Sequence, residues 1–413
     1  MHRRPAFVLL ALGAFLAPML QAQTPRGPEI QVNQRHRDNQ WLPRVAAAPN
    51  GDFVVVWGSD REPTTFDEPS QAWYRLFGAN GAPKTAERRV SNRRGEREGF
   101  PAVAMGPDGG FIIVWHSGGE RDTTVYGRRF NAAGQPLGNA FPLSAATAGS
   151  QYDPAVDVAS DGSFVAVWLQ GPQPPPHGET AEVFLRRFNA AGQPPFSEVQ
   201  VAPAEPGAKA VEPRVGMDGS RGWVISWLDS GAGFPERRLL ARRLAGGNLS
   251  PVFQVNTGGP IATVSPLYDM DVAASGEAVF VWTAFDTDVI RVGILGRLFA
   301  ADGTPGDTFE VNDFDVPGQE RPAVAFGRDG GFLAAWRSTG TEEPPQPGNA
   351  LYVRRFHADG TPRGGKIEIA RSRQTSLDWL AVALNAAGRG AVAWTAVRFD
   401  AEILARRLVQ AAP

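Results

Sequence analysis

Seven tryptophans, Trp57, Trp115, Trp168, Trp227, Trp282, Trp336 and Trp394, recur every 53 to 59 residues, and each closes a short apolar run. A fixed period of this size, with strands inside each unit, is the signature of a solenoid or a propeller. One unit cannot bury its apolar face alone, so neighbours must stack. The period decides the architecture and leaves the chemistry open, because the recurring residues are core formers.

The second unit is the cleanest. Pro101-Ala-Val-Ala-Met105 leads to a turn at Pro107-Asp-Gly-Gly110, then Phe111-Ile-Ile-Val-Trp115, a variable loop, Val125-Tyr-Gly-Arg-Arg-Phe130, a second turn at Asn131-Ala-Ala-Gly-Gln-Pro136, and Ala140-Phe-Pro-Leu-Ser144. Runs rich in Val, Ile, Phe and Trp between such turns read as strands, and no helical period is present in the mature chain. Asp108-Gly109 and Gly134 supply the positive φ that tight hairpins require. Asn50-Gly51, Asp161-Gly162, Ser275-Gly276 and Asp329-Gly330 occupy the first turn of other units, and Asn80-Gly81, Gly192, Asp302-Gly303 and Asp359-Gly360 the second. Units four and seven are degenerate.

Four strands per unit, arranged radially, predict an all-β fold, a seven-bladed β-propeller of four-stranded antiparallel blades. Residues 23–413 are expected to form one domain, with blades near 41–91, 99–144, 152–202, 211–256, 266–312, 320–370 and 378–410. The last unit stops at Glu402-Ile-Leu-Ala-Arg-Arg-Leu-Val409 without a fourth strand. The mature chain opens with Glu29-Ile-Gln-Val-Asn33, which matches Phe253-Gln-Val-Asn256 and Phe309-Glu-Val-Asn312. Strand 29–33 should therefore complete the last blade and remove an exposed sheet edge.

Arg75, Arg128, Arg186, Arg242, Arg297, Arg354 and Arg406 hold one position on strand three of all seven units. An anion-binding ring is one reading. The better one is structural: each guanidinium stacks on an aromatic or pairs with the neighbouring blade, tasks for which Arg suits better than Lys.

Met1-His-Arg-Arg4, the apolar stretch from Pro5 to Leu20, and Gln21-Ala22 have the three regions of a secretory signal peptide over residues 1–22. The protein is expected to be exported, periplasmic or secreted. Arg3-Arg4 raises the twin-arginine route, but the flanking residues match it poorly. The absence of cysteine excludes disulfides and a lipobox and fits a bacterial exported protein. No second apolar run reaches the roughly 18 residues of a membrane span, and a net charge of -2 argues against nucleic acid as a partner. A monomer without cofactor is expected.

In a four-stranded meander the two-to-three loops and the inter-blade connections share one face, and the tight turns share the other. Variable loops on a rigid scaffold are where binding normally resides. The two-to-three loops carry an acidic rim: Asp60, Glu62, Asp67, Glu68, Glu120, Asp122, Glu179, Glu182, Asp229, Glu236, Asp286, Asp288, Glu342, Glu343, Asp400 and Glu402. Such a rim could attract a basic partner or hold calcium, but it lacks the spacing of a calcium loop and reads as a solvated surface. The inter-blade connections run toward the axis and carry Trp41, Glu98, Phe100, Tyr152, Asp153, Glu212, Tyr268, Asp269, Glu320, Asp378 and Trp379. Aromatic faces beside carboxylates are what sugar or peptide recognition uses. The alternative is that the aromatics plug the channel and the acids are hydrated. Asp157 and Asp271 interrupt strand one where other blades have Ala46, Ala104, Gly216, Ala325 and Ala383, so they should face the channel or be buried with a partner.

No nucleophile and base, metal set or phosphate loop stands out. His2, His36, His116, His177 and His357 occur singly, and glycine sits in hairpin turns. The blade pattern, Asp-Gly-Gly-Phe running to Trp, then Arg-Arg-Phe-Asn-Ala-Ala-Gly-Gln-Pro, then Phe-x-Val-Asn, resembles repeats of bacterial secreted and cell-surface proteins, including large adhesin-like ones. That resemblance implies a propeller and no activity. The eight-residue boxes of sialidases and the docking motifs of quinoprotein propellers are absent. The sequence thus points to a non-catalytic binding or scaffold module, with a carbohydrate or peptide ligand at the channel mouth. The alternative is a polysaccharide hydrolase or lyase using channel acids such as Glu98, Asp153, Glu212, Asp269 and Glu320, since two suitably separated carboxylates suffice.

Overall fold

Each apolar run that ends in tryptophan forms the second strand of a four-stranded antiparallel sheet: Phe53–Asp60, Phe111–Gly118, Phe164–Gly171, Trp223–Asp229, Ala278–Asp286, Phe332–Ser338 and Arg389–Val397. The computed structural model describes residues 27–409 except 37–38, 61–69, 93–95, 120–121, 146–148, 172–180, 203–208, 220–221, 230–236, 246, 258–260, 262–266, 287–290, 313–317, 340–347 and 398–399. The expected signal peptide, His177, and the rim acids Glu62, Asp67, Glu68, Glu120, Glu179, Glu236, Asp288, Glu342 and Glu343 lie outside the described residues.

The first strands are Asn39–Ala47, Arg97–Met105, Ser150–Val158, Ala210–Met217, Tyr268–Val272, Gln319–Phe326 and Ser376–Leu384. They line the axis. Third strands come next at Gln71–Phe77, Thr123–Phe130, Glu182–Phe188, Arg238–Ala245, Arg291–Phe299, Asn349–Phe356 and Ala401–Val409, with short outer strands beyond them. The fold is a seven-bladed propeller. Among the described residues no helix is long and apolar enough to cross a membrane.

The last blade borrows its outer strand from the other end of the chain. Ile30–Gln31 pairs antiparallel with Ala401–Val409, Ile30 opposite Ala405 and Gln31 opposite Leu404. The Val32 N–H donates to the Ile403 carbonyl at 2.9 Å, as Val255 does to Leu239 at 2.8 Å and Val311 to Ile294 at 2.9 Å. Asn33 accepts from the Ile403 N–H as Asn256 accepts from Leu239 and Asn312 from Ile294. The Val-Asn pair is thus one device used three times. Its valine enters the core, and its amide oxygen satisfies a donor at the start of strand three.

The buried apolar residues fall into seven clusters, each between two adjacent blades, and one of them joins the last blade to the first through Val32, Trp57, Ala391 and Ile403. The repeated tryptophans fill these layers; six have no exposed surface and Trp227 has 4 %. The arginine column is structural. Each guanidinium donates from Nη1 to a carbonyl on the outer strand of the preceding blade: Arg75 to Val32, Arg128 to Val90, Arg186 to Leu143, Arg242 to Val201, Arg297 to Val255, Arg354 to Val311 and Arg406 to Ile369. Four of them also lie over the phenylalanine two residues on, at 5.3 to 5.9 Å.

Deleting residues 29–33 removes a ladder, a core valine and the acceptor of Arg75 together. The melting temperature should fall by many degrees and soluble oligomers should form through the bared edge; an unchanged, monomeric melt would contradict closure by this strand.

Candidate functional site

In six blades the inner strand carries a bulge. Its register against strand two slips between Trp41 and Arg44, Gly99 and Ala102, Tyr152 and Ala155, Val211 and Arg214, Glu320 and Ala323, and Asp378 and Ala381. Within each slip one non-glycine residue has φ between 47° and 56°: Leu42, Phe100, Asp153, Glu212, Arg321 and Trp379. This region is uncommon for such residues and costs about 1–3 kcal/mol each. Five are followed by proline, Pro43, Pro101, Pro154, Pro213 and Pro322, which has no N–H to withdraw from the ladder. Blade 5 has no slip over Tyr268–Val272. A bulge re-aims side chains, and here it does so at one level of the axial opening.

A cavity of about 270 Å³ follows the axis, lined by inner-strand residues of all seven blades. Two residues past the bulge the blades carry Arg44, Ala102, Ala155, Arg214, Asp269, Ala323 and Ala381; two further on they carry Ala46, Ala104, Asp157, Gly216, Asp271, Ala325 and Ala383. Small residues keep the channel open. The departures from that rule are the chemistry: Arg44, Arg214 and Asp269 at one level, Asp157 and Asp271 below.

Most of the acids bond across blade boundaries. Asp157 accepts from the Met217 N–H at 2.7 Å, Asp271 from Phe326 at 2.7 Å, Asp269 from Val324 at 3.0 Å, and Glu212 from Leu267 at 3.1 Å. Asp157 and Asp271 therefore both face the channel and have partners. Glu98 is fully buried and accepts from the Ala72 N–H at 3.0 Å, away from the cavity. Glu320 pairs with Arg337, and Asp378 lies 2.7 Å from Arg321 and 3.1 Å from Arg337. Tyr152 is buried in the layer between blades 3 and 4. Of the expected mouth residues, Phe100, Asp153, Tyr268 and Asp269 line the cavity.

Aromatic groups collect on blades 7, 1 and 2. The Trp41 indole lies on Gly58, where a Cβ would come within 2.6 Å of the ring. Phe100, 44 % exposed, meets Trp41 edge-on at 5.9 Å and stacks on His116 at 5.3 Å. His116 has room because its cross-strand neighbour is Gly99. Trp379 carries the Arg321 guanidinium at 4.7 Å. The charged groups that line the cavity are Arg44 on blade 1, Asp153 and Asp157 on blade 3, Arg214 on blade 4, and Asp269 and Asp271 on blade 5.

Burial pushes the Asp153 carboxyl up to about 6, against the attraction of Arg214 and with the help of Glu212. Burial likewise raises Asp157 to about 6 and Asp271 to about 7, the latter also through Asp157. Burial and repulsion from Arg214 lower Arg44 to about 10, and burial lowers His116 to about 4. Arg214 lies 3.7 Å from Asp269 and 4.0 Å from Glu212. Among the described residues no group of three or more His, Asp or Glu could hold a metal ion. Arg44, Arg214, Arg321, Arg337 and His116, which the structure places beside the expected residues, were not singled out from sequence; aligning the small-residue column would have flagged the first two.

No protein-family profile matches the chain, and no curated protein does. Solved structures do. The Hadza microbial sialidase Hz136 superposes with a TM-score of 0.52 at 9 % identity, over 89 % of this chain and 65 % of that one. The polysaccharide lyase Uly1 gives 0.51 at 9 % identity, over 91 % and 90 %. The Trypanosoma rangeli sialidase in complex with sialic acid gives 0.51 at 11 % identity, over 94 % and 58 %. The chain spans less than two thirds of either sialidase. At these identities the likeness is one of fold.

A carboxyl whose pKa rises on folding binds its proton more tightly in the folded state. The stability it adds is complete below the ordinary carboxyl range and is lost as pH rises through the folded value. For Asp157 and Asp271 that window closes at about 6 to 7. The melting temperature should therefore fall between about pH 4 and pH 7, and Asp271→Asn should flatten the fall. Calorimetry in matched buffers checks this, and an unaltered slope in the variant would contradict it.

Proposed function

We propose that this chain is an exported, non-catalytic binding propeller that takes a carbohydrate at the channel mouth. The observation that carries the reading is an aromatic group on the bulged inner strands of blades 7, 1 and 2, Trp379, Trp41 and Phe100, of which Phe100 lines the axial cavity together with Asp153, Arg214 and Asp269. Sugar rings present apolar faces that stack on aromatics and hydroxyls that need fixed polar partners, so a two-sided mouth suits them. Glu98, Glu212, Glu320 and Asp378 are held by backbone N–H groups or arginines, which favours binding over proton transfer. The signal-like N-terminus and the resemblance to bacterial surface repeats agree with export to the periplasm or beyond. Propellers that share the fold include a sialidase and a polysaccharide lyase, an association with carbohydrate that fits.

One observation favours a second reading, a polysaccharide hydrolase or lyase. Asp153 lines the same cavity as Asp269, and its carboxyl titrates at about 6, where an acid can donate a proton at mild pH.

A polysaccharide array scored for both retention and product release separates the two. Retention without product is expected, with Phe100→Ala and Trp379→Ala each weakening it about tenfold. Product that disappears in Asp153→Asn would transfer the assignment to the enzyme. Retention unchanged in both aromatic variants would move the site away from the mouth.

A further inference from the structure

We propose that the saccharide is an acidic one, and that its oxyanion, a uronic carboxylate or a sulfate ester, is held between the guanidinium groups of Arg44 and Arg214. This rests on the binding reading above and narrows it to a ligand class.

The strand-three arginines each bond a carbonyl of the preceding blade, and Arg321 and Arg337 are ion-paired. Arg44 differs. Its one hydrogen bond among the described residues runs from Nη1 to the carbonyl of its own neighbour Pro43, at 3.3 Å, and no described carboxylate lies within 4.0 Å. It stands in a column where four of seven blades have alanine, and it lines the cavity that Arg214 also lines. Ordering a long cation in a narrow channel costs side-chain entropy and hydration; the nearby Arg214 guanidinium adds repulsion, which Asp269, Asp153 and Glu212 offset in part without bonding it. An arginine with open donors in that setting is suited to an oxyanion with two adjacent oxygens, carboxylate or sulfate, which it can grip bidentately.

Three acids face the pair, and each is partly engaged. Asp269 and Glu212 lie against Nε and Nη2 of Arg214 and accept N–H groups from the next blade, while Asp153 accepts the Glu212 N–H. Tyr268 lies beneath Arg214, whose guanidinium is 5.6 Å from the ring centre. The volume of about 270 Å³ is at the small end for ligand sites and fits one sugar residue better than a chain. The remainder of an oligosaccharide would lie across Trp41 and Phe100.

The test is calorimetric titration of the mature protein with three oligosaccharides matched in length: a uronate, a sulfated one and a neutral one. Affinity for an acidic oligosaccharide should exceed that for the neutral one at least tenfold and should fall with added salt. Arg44→Gln should reduce the acidic-to-neutral affinity ratio at least tenfold while the melting temperature holds. Arg44→Lys, which keeps charge and loses the fork, should fall between. Preference for the uronate or the sulfated ligand tells which oxyanion is meant. An acidic-to-neutral ratio unchanged in Arg44→Gln, or no preference at all, overturns the inference and leaves saccharide binding standing. Failure of all three ligands to bind overturns both.

Discussion

The bond from each strand-three arginine to the outer strand of the preceding blade is the constraint on which the ring depends. It recurs seven times, and the residue whose carbonyl it grips, from Val32 to Ile369, is at the same time buried in the layer between the two blades. Each blade is therefore placed against its neighbour both by a directed hydrogen bond and by apolar burial. Because the core is divided into inter-blade layers, no blade is stable alone, and the layer between the last blade and the first is as necessary as the rest. Val32 and Asn33 supply it from the start of the chain.

Regularity builds this scaffold, and departures from regularity build the mouth. The tight turns, the tryptophans and the arginines repeat with little change. The inner strands do not: six hold a strained bulge, and the channel position just beyond it is alanine in some blades and a charged group in others. Backbone strain of this kind persists only where the surrounding sheet over-determines it, and it gathers at binding sites. The carboxylates that cross from blade to blade tie this strained level together. Asp153, which lines the cavity, accepts the Glu212 N–H, and burial pushes its carboxyl up to about 6.

Internal repetition made the fold legible. Seven imperfect copies align with one another, so the hairpin glycines, the buried tryptophans, the structural arginines and the borrowed strand at 29–33 could all be read from the chain. The candidate site was legible in part. Phe100, Asp153, Tyr268 and Asp269 were expected at the mouth and do line the cavity, whereas Trp41, Glu98, Tyr152, Glu212, Glu320, Asp378 and Trp379 were expected there and do not. The reason is the bulge. Strand periodicity assigns faces by alternate residues, and a slip within the strand reverses that assignment from one residue to the next. The prolines after the bulge residues were its visible trace. Arg44 and Arg214 escaped because a charged residue in an isolated strand reads as solvent-facing, and only comparison with Ala102, Ala155, Ala323 and Ala381 places it on the axis.

Hydrogen exchange of the protein, with and without a saturating acidic oligosaccharide, probes this division between scaffold and mouth blade by blade. Added protection is expected at the inner-strand bulges, in segments around 40–44, 98–102, 211–214 and 377–380, with none at tight turns such as 106–110 and 159–163. Protection centred on the tight turns instead, with the bulges unchanged, would contradict it.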